Sequence, residues 1–212
     1  MKRAIIFYNG DLSDLHNLEQ YIQTTDYIIC ADGGAKLAMK LGIKPNVIIG
    51  DFDSLPKADQ KEFEKEKIQF ITYQKEKDET DSELALTYAI EKGYKTILLF
   101  GVFGSRIDHM LTNIFALDYL LNTNVDVTII EGNQEIHLIN NSIKLKGKKG
   151  DLVSLIPFKE DAKKVTTKNL EYPLNNEDLK FGYSRGISNV FMKNFAKISL
   201  EEGLLLVIHT KI

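Results

Sequence analysis

A chain of 212 residues with 43% hydrophobic content and ordinary numbers of glycine and proline holds enough apolar material for one large core or two small ones. Its 27 basic and 30 acidic residues leave a formal net charge of −3, which argues against a nucleic-acid binder, since that function needs a basic excess to neutralise phosphates. One cysteine excludes a disulfide framework.

The chain opens on Met1-Lys2-Arg3 followed by the apolar stretch Ala4 to Tyr8, too short for a signal-peptide core or a membrane span, so a cytoplasmic protein without membrane attachment is expected. Up to about Val125, short Val/Ile/Leu/Phe-rich runs alternate with helical patterns, as in crossover units of a largely parallel sheet. Strands are predicted near 3–8, 27–31, 47–49, 68–72, 96–100 and 125–130. Cys30 falls inside the second of these runs and reads as a buried strand thiol. Between the runs, Leu37, Met39 and Leu41 predict a helix capped by Gly42, and Leu84, Leu86, Ala89 and Ile90 one capped by Gly93.

Four polar clusters each follow an apolar run and precede a helical pattern: Asp32-Gly33-Gly34, Asp51-Phe52-Asp53, Asp78-Glu79-Thr80-Asp81 and Arg106-Ile107-Asp108. Parallel α/β sheets bind ligands at that edge. Carboxylates converging there repel one another unless a cation lies between them. Asp51 and Asp53 are two apart, so extended backbone would point both side chains to one side, and such a pair suits Mg²⁺; a turn followed by a helix starting at Ser54-Leu55-Pro56 explains the same residues structurally. Thr80 and Glu83 have capping-box spacing, which leaves Asp78 and Asp81 as additional charge beside Glu76 and Glu79.

The loop Gly101-Val102-Phe103-Gly104-Ser105-Arg106-Ile107-Asp108 leads into a helix expected to begin near His109. Glycines that admit close approach, a helix N-terminus and the Arg106 fork together suit phosphate, although the loop lacks the Gly-Lys-Ser/Thr of a Walker motif. A local pair between Arg106 and Asp108 is the competing reading, and His109 reads as a helix-start residue.

After Glu131-Gly132-Asn133-Gln134 the helical period gives way to short alternating segments at 136–139, 143–146, 152–158, 163–167, 196–200 and 204–209. They predict a small all-β sandwich, with Glu201-Glu202-Gly203 as a hairpin loop. The fold expected is therefore α/β: a Rossmann-like, mostly parallel sheet domain over 1–130, joined tightly to a β-sandwich over 131–212. Gly182 to Asn189 interrupts the second-half strand pattern with small polar residues, either as a plain connection or as a site in which Ser188 and Asn189 bond a heteroaromatic ring.

Taken together and in this order, ADGGA (Ala31 to Ala35), GDFDS (Gly50 to Ser54), KDETDSELAL (Lys77 to Leu86), GSRIDH (Gly104 to His109) and SRGISN (Ser184 to Asn189) resemble the thiamine pyrophosphokinase family. The resemblance spans most of the chain. It implies transfer of the pyrophosphoryl group of Mg-ATP to the hydroxyl of thiamine, giving thiamine diphosphate and AMP, by a homodimer with sites at the subunit interface. It also implies that Asp51, Asp53 and Asp81 hold Mg²⁺. Asp32, Gly33, Asp78, Thr80 and Arg106 would serve ATP, while Asp108, Ser188 and Asn189 would serve thiamine. Animal-type members stack a Trp on thiamine; this chain has none, and Leu206 falls near the corresponding place. Two other functions fit the residues less fully, a metal-dependent phosphohydrolase with Asp51 as nucleophile and a non-catalytic thiamine or nucleotide sensor.

Overall fold

The apolar runs of the first half become β1 (Arg3–Phe7), β2 (Tyr27–Ala31), β3 (Val47–Gly50), β4 (Gln69–Thr72), β5 (Thr96–Phe100) and β6 (Asp126–Glu131). In the computed structural model, which describes residues 2–11, 18–53, 55–73 and 78–212, they pair in parallel in the order β6-β5-β1-β2-β3-β4. Ser54, Glu76 and Lys77 of the sequence motifs lie outside the described residues. The central strands are buried on both faces, which is why they read as continuous apolar runs rather than alternating ones. Cys30 is fully buried on β2, and burial drives its thiol pKa far up, so it is a packing residue.

Helices α1 (Gly34–Lys40), α2 (Lys57–Lys65), α3 (Asp81–Glu91) and α4 (Ile107–Leu120) connect the strands. Strands β2 to β4 extend the sheet to one side of β1, and β5 and β6 extend it to the other. Right-handed crossovers then put α1 and α2 on one face and α3 and α4 on the opposite face. Ala35, Leu37 and Ala38 of α1 and Phe63 of α2 accordingly share a core with Ile5, Phe7, Ile48 and Phe100. The predicted glycine caps are present: α1 and α3 are followed by Gly42 and Gly93, both at positive φ. Helix α4 begins at Ile107, two residues before the predicted start, because Arg106 already serves as the extended residue in front of it.

The chain divides into two compact units, Met1–Gly132 and Asn133–Ile212. The second contains β7 (Gln134–Ile139), β8 (Ser142–Lys146), β9 (Leu152–Pro157), β10 (Ala162–Lys168), β11 (Glu177–Leu179), β12 (Asn189–Val190), β13 (Phe195–Ser199) and β14 (Leu205–Thr210). Antiparallel pairs link β12-β9-β14-β7 and β11-β10-β13-β8. Val153, Leu155, Val165, Ile198 and Val207 fill the core between them.

Two expectations for this half fail. Strands β11 and β12 were not predicted, because three and two residues carry too little alternation to be seen. Glu201-Glu202-Gly203 is not a hairpin: β13 and β14 belong to different sheets, and the connection pairs instead with β10, through Lys163 N–H to Glu202 O (2.9 Å) and Glu201 N–H to Lys163 O (3.0 Å).

Among the described residues no helix is long and apolar enough to cross a membrane. The sandwich closes its chain end on a buried polar group: Asp151, 1% exposed, accepts from the N–H groups of Lys148 (2.9 Å) and Ile212 (3.2 Å) and lies 3.1 Å from His209 Nε2. Phe191 stacks on the His209 ring. Burial alone would raise the Asp151 pKa, but these partners outweigh it and hold it below the usual carboxylate value. Asp151→Ala leaves the buried His209 ring and two partly buried N–H donors without their acceptor and should cost on the order of 3 kcal/mol. Because the folded pKa is the lower one, the stabilisation is complete above the unfolded Asp value of about 4 and is lost as pH falls through the folded value. Melting curves should therefore show a constant gap between wild type and variant from pH 5 to 8 that closes in stronger acid; a gap independent of pH down to full acid would remove the charge from this account.

Candidate active site

The order β6-β5-β1-β2-β3-β4 reverses direction between β1 and β5. An open parallel sheet forms its ligand crevice at this point. The Tyr8-to-Asp11 loop is tied to the Gly101-to-Gly104 loop by Tyr8 N–H to Phe100 O and Asp11 N–H to Phe103 O, both 2.8 Å. A cleft of about 330 Å³ opens beside them, reaching from Asp32, Asp51 and Asp53 at the ends of β2 and β3 to Arg106 and His109 at the start of α4.

The acidic end is assembled by backbone geometry. Asp32 is 5% exposed with φ of 41°, in the left-handed region that Asp tolerates better than most residues. The Asp51-Phe52-Asp53 segment is not extended, contrary to expectation: β3 stops at Gly50, Phe52 has φ of 61°, and the Asp53 N–H bonds Asp51 Oδ1 at 3.1 Å. The two carboxylates meet through a side-chain-stabilised turn instead of through strand alternation. Carboxylate oxygens of Asp32, Asp51 and Asp53 all lie within 4.8 Å of one another.

Asp81, placed in the metal set by resemblance, lines the same cleft as the first residue of α3. Gly50, at φ of 153°, makes room for it: a Cβ there would stand 3.1 Å from Asp32 Cβ and 3.2 Å from Asp81 Cγ. Thr80, the residue before, caps α3 by accepting from Glu83 N–H at 3.2 Å, as its spacing predicted. The donor set is thus hard carboxylate oxygen at a helix start, a chemistry that fits Mg²⁺ with room left for phosphate oxygens and water.

At the other end, Arg106 donates through Nε to Asp108 Oδ1 at 2.9 Å and through Nη2 to Asp108 Oδ2. Arg106 holds the Asp108 carboxyl far below the ordinary range, and the guanidinium pKa is raised in return. The pair occupies two of the five guanidinium donors, so the remaining edge stays available to an anion. The local pairing and the phosphate-binding reading are therefore compatible, with Asp108 orienting the fork.

Of the remaining predicted residues, Gly33 stands behind the wall, where a Cβ would fall 2.4 Å from Asn9 Oδ1, and Asp78 is exposed ahead of α3. Ser188 and Asn189 belong to the second unit. Ser188 is exposed at φ of 57°, its N–H bonded to Ser154 Oγ at 3.0 Å. Asn189 is 8% exposed with its amide already engaged: Nδ2 donates to Tyr172 O (2.7 Å), and Oδ1 accepts from Tyr172 N–H (3.0 Å) and Val190 N–H (2.9 Å). That amide pins the Tyr172–Leu174 segment, which walls a hollow of about 240 Å³ with Leu155, Arg185 and Ile187. Leu206 is 8% exposed within β14, and the apolar lining of the hollow comes from Leu155, Tyr172, Pro173, Leu174 and Ile187.

Tyr8, Asn9 and Asn113 line the cleft and were missed. The Asn9-Gly10 pair directly after the first apolar run was the available signal, but it points to a ligand only once β1 is known to be the switch-point strand.

The family model described as "Thiamin pyrophosphokinase, catalytic domain" matches residues 18–129, and "Thiamin pyrophosphokinase, vitamin B1 binding domain" matches 137–205. The chain is 32% identical to thiamine pyrophosphokinase of Bacillus subtilis over 99% of both chains. A crystal structure of thiamine pyrophosphokinase from Bacillus subtilis aligns with a TM-score of 0.91 and 29% identity, covering 100% of each chain. One of thiamin pyrophosphokinase from Geobacillus thermodenitrificans aligns at 0.86 and 26% identity, covering 100% of this chain and 98% of that one.

The engaged amide of Asn189 generates a prediction. Asn189→Ala should speed hydrogen exchange of the Tyr172 and Val190 N–H groups at least about tenfold, since each loses its acceptor, roughly 1 kcal/mol or more apiece. Unchanged protection at both positions would show that the amide does not hold this segment.

Proposed function

This chain belongs to the thiamin pyrophosphokinase family, and from that premise we propose that it transfers the pyrophosphoryl group of Mg-ATP to the hydroxyethyl oxygen of thiamine, releasing AMP. The observation that carries the reading is the convergence of Asp32, Asp51, Asp53 and Asp81 with Arg106 in one cleft at the sheet's switch point. Attack on the β-phosphorus needs alignment and charge neutralisation more than covalent help from protein. Bound Mg²⁺ supplies part of that neutralisation. Asp51, Asp53 and Asp81 hold the ion, with Asp32 as a fourth oxygen donor, and Asp32 and Thr80 border the nucleotide phosphates together with Gly33 and Asp78 behind them.

Arg106 neutralises phosphate with the guanidinium edge that Asp108 leaves open. Asp108 acts through that orientation and adds negative charge near the cationic thiazolium of thiamine. The division of labour follows the two units, residues 1–130 binding Mg-ATP and 131–212 binding thiamine; the match of 137–205 to a vitamin B1 binding domain supports the second assignment. Asn189 lines the hollow and shapes it through Tyr172, and Ser188, exposed next to it in sequence, meets thiamine from the hollow's edge. Two copies share each site, and the enzyme works in the cytoplasm. The hydrolase and sensor alternatives gain no support: both family-model matches are to thiamin pyrophosphokinase domains, and the acids a sensor could dispense with are in place.

Asp51→Asn, Asp53→Asn and Asp81→Asn should each lower turnover, read as AMP and thiamine diphosphate formed in equal amounts, by at least about a hundredfold, since each removes charge from a preorganised site. Near-normal turnover in all three at low Mg²⁺ would take these residues out of the site. Arg106→Lys should also be costly, because a point charge does not reproduce a planar fork. If the Arg106–Asp108 pair were only structural, Lys would instead shift the melting temperature and leave kcat and KM alone.

Sharing of sites is tested by complementation. Inactive Asp81→Asn chains co-refolded with inactive Ser188→Ala/Asn189→Ala chains place both lesions in one site of each mixed dimer and leave the other intact. With random pairing about half the dimers are mixed, so activity should return to about a quarter of wild type. No recovery, with mixed dimers demonstrated by mass spectrometry, would place each site within a single chain.

A further inference from the structure

Strand register gathers a second set of ionisable side chains inside the sandwich, and the chemistry of the cleft uses none of them. Glu135 and His137 are two apart on β7 and so point to one face, and Glu135 pairs across to His209 on β14. That face continues into the core through Ile139, Leu205 and Val207. His209 is fully buried; its ring stacks on Phe191, and a Cβ at Gly147 would stand only 2.9 Å from its Nε2, so the ring has little room to move.

Hydrogen bonding decides what each nitrogen of His209 offers. Asp151 already accepts from two backbone N–H groups, so it meets His209 as an acceptor and Nε2 carries the hydrogen of that 3.1 Å contact. In the neutral ring Nδ1 keeps its lone pair; it is buried, has no hydrogen-bond partner among the described residues, and lies 3.6 Å from Glu135 Oε2. His137 Nε2 approaches the same oxygen to 4.0 Å, while Lys211 Nζ holds the other one, Oε1, at 2.5 Å.

We propose that Glu135 Oε2, His137 Nε2 and His209 Nδ1 form a zinc site that ties β14 to β7, a role separate from the pyrophosphoryl transfer in the cleft. The donors choose the metal: two imidazoles and one carboxylate suit Zn²⁺, whereas Mg²⁺ keeps oxygen ligands and water. Three protein ligands leave a fourth place for water, and the His137 and Glu135 side chains, 15% and 19% exposed, border solvent. The outer contacts agree. A zinc-bound imidazole normally donates its other N–H to a carboxylate, as His209 does to Asp151, and the ligating carboxylate is itself hydrogen-bonded, as Glu135 is to Lys211. Bonds of about 2.1 Å set tetrahedral ligands about 3.4 Å apart, close to the 3.6 and 4.0 Å from Glu135 Oε2 to the two ring nitrogens. The three donors are not all within the 4.8 Å that the acids of the cleft keep, so the half-buried His137 ring turns inward when the ion binds, while His209 stays in place. An ion there satisfies Nδ1, a buried polar atom that otherwise goes without a partner.

The probe is Zn²⁺ itself, titrated calorimetrically into chelator-stripped, dialysed protein with millimolar Mg²⁺ present to occupy the acids of the cleft. One ion per chain should bind with micromolar affinity or tighter and raise the melting temperature. His137→Ala and Glu135→Gln should each weaken binding at least about tenfold, the smallest loss expected even for an outer partner of a metal ligand. Both residues are partly exposed, so both variants should keep the wild-type far-UV circular dichroism spectrum. The Asp51→Asn/Asp53→Asn chain should bind Zn²⁺ as the wild type does. Co²⁺ in place of Zn²⁺ should give the intense visible bands of a four- or five-coordinate ion, and His137→Ala should lack them. A wild type that binds no Zn²⁺, or wild-type affinity in both His137→Ala and Glu135→Gln, would overturn the site. Loss of binding in the Asp51→Asn/Asp53→Asn chain would do so too, by placing the ion in the cleft. Ring-nitrogen NMR shifts supply an independent check: if both nitrogens of His209 carry hydrogen at neutral pH and Zn²⁺ leaves them unmoved, the ring is a cationic clamp between Asp151 and Glu135 and not a ligand.

Discussion

Mutual repulsion of carboxylates is the constraint on which the rest of this molecule depends. Asp32, Asp51 and Asp53 hold oxygens within 4.8 Å of one another, a spacing at which each like-charged pair costs about 1 kcal/mol in bulk water and roughly 3 kcal/mol at an effective dielectric constant of 20. A fold that concentrates such a cost at one point must be held together elsewhere. The sheet does this, with β1, β2, β3 and β5 almost wholly buried and the α1 and α2 side chains closing one of its faces. The acids are therefore carried on backbone that has little freedom to relax away from them.

Backbone conformation sets the spacing as much as side-chain choice does. Asp32 and Phe52 sit at positive φ, and Gly50 between the two acidic segments lets the Asp81 carboxyl approach the end of β3. Strain of this kind persists where the surrounding structure over-determines it, and it gathers at functional sites. The opposite end of the cleft follows a different logic. Arg106 is exposed and, among the described residues, pairs with Asp108, so it is oriented without being locked, as suits a group that must meet a substrate and release it.

Much of this was legible in the sequence, for identifiable reasons. Parallel strands buried on both sides leave apolar runs too dense to mistake, and the polar clusters after them mark the sheet edge at which Asp32, Asp51, Asp53, Asp81 and Arg106 line one cleft. The turn at Phe52 was not legible, because two aspartates two residues apart look alike in an extended strand and in a turn. The engagement of the Asn189 amide was not legible for a related reason. The residue's type and place suit a ligand contact, yet its amide is satisfied by Tyr172 and Val190, a pairing between segments 17 residues apart that no local pattern encodes. The connection at Glu201-Glu202-Gly203 has a hairpin's composition, and only the pairing of Lys163 with Glu202 shows that it changes sheets. Local chemistry was readable; partnership across the chain was not.

The cation-balancing role of the acids has a direct thermodynamic test. Melting temperatures of wild type and Asp51→Asn, each measured with and without millimolar Mg²⁺, report whether the cluster is strained by its own charge and relieved by the ion. The account predicts that the wild type melts below the variant without Mg²⁺, rises when the ion is added, and that the variant responds far less. A wild type indifferent to Mg²⁺ and more stable than Asp51→Asn under both conditions would contradict it.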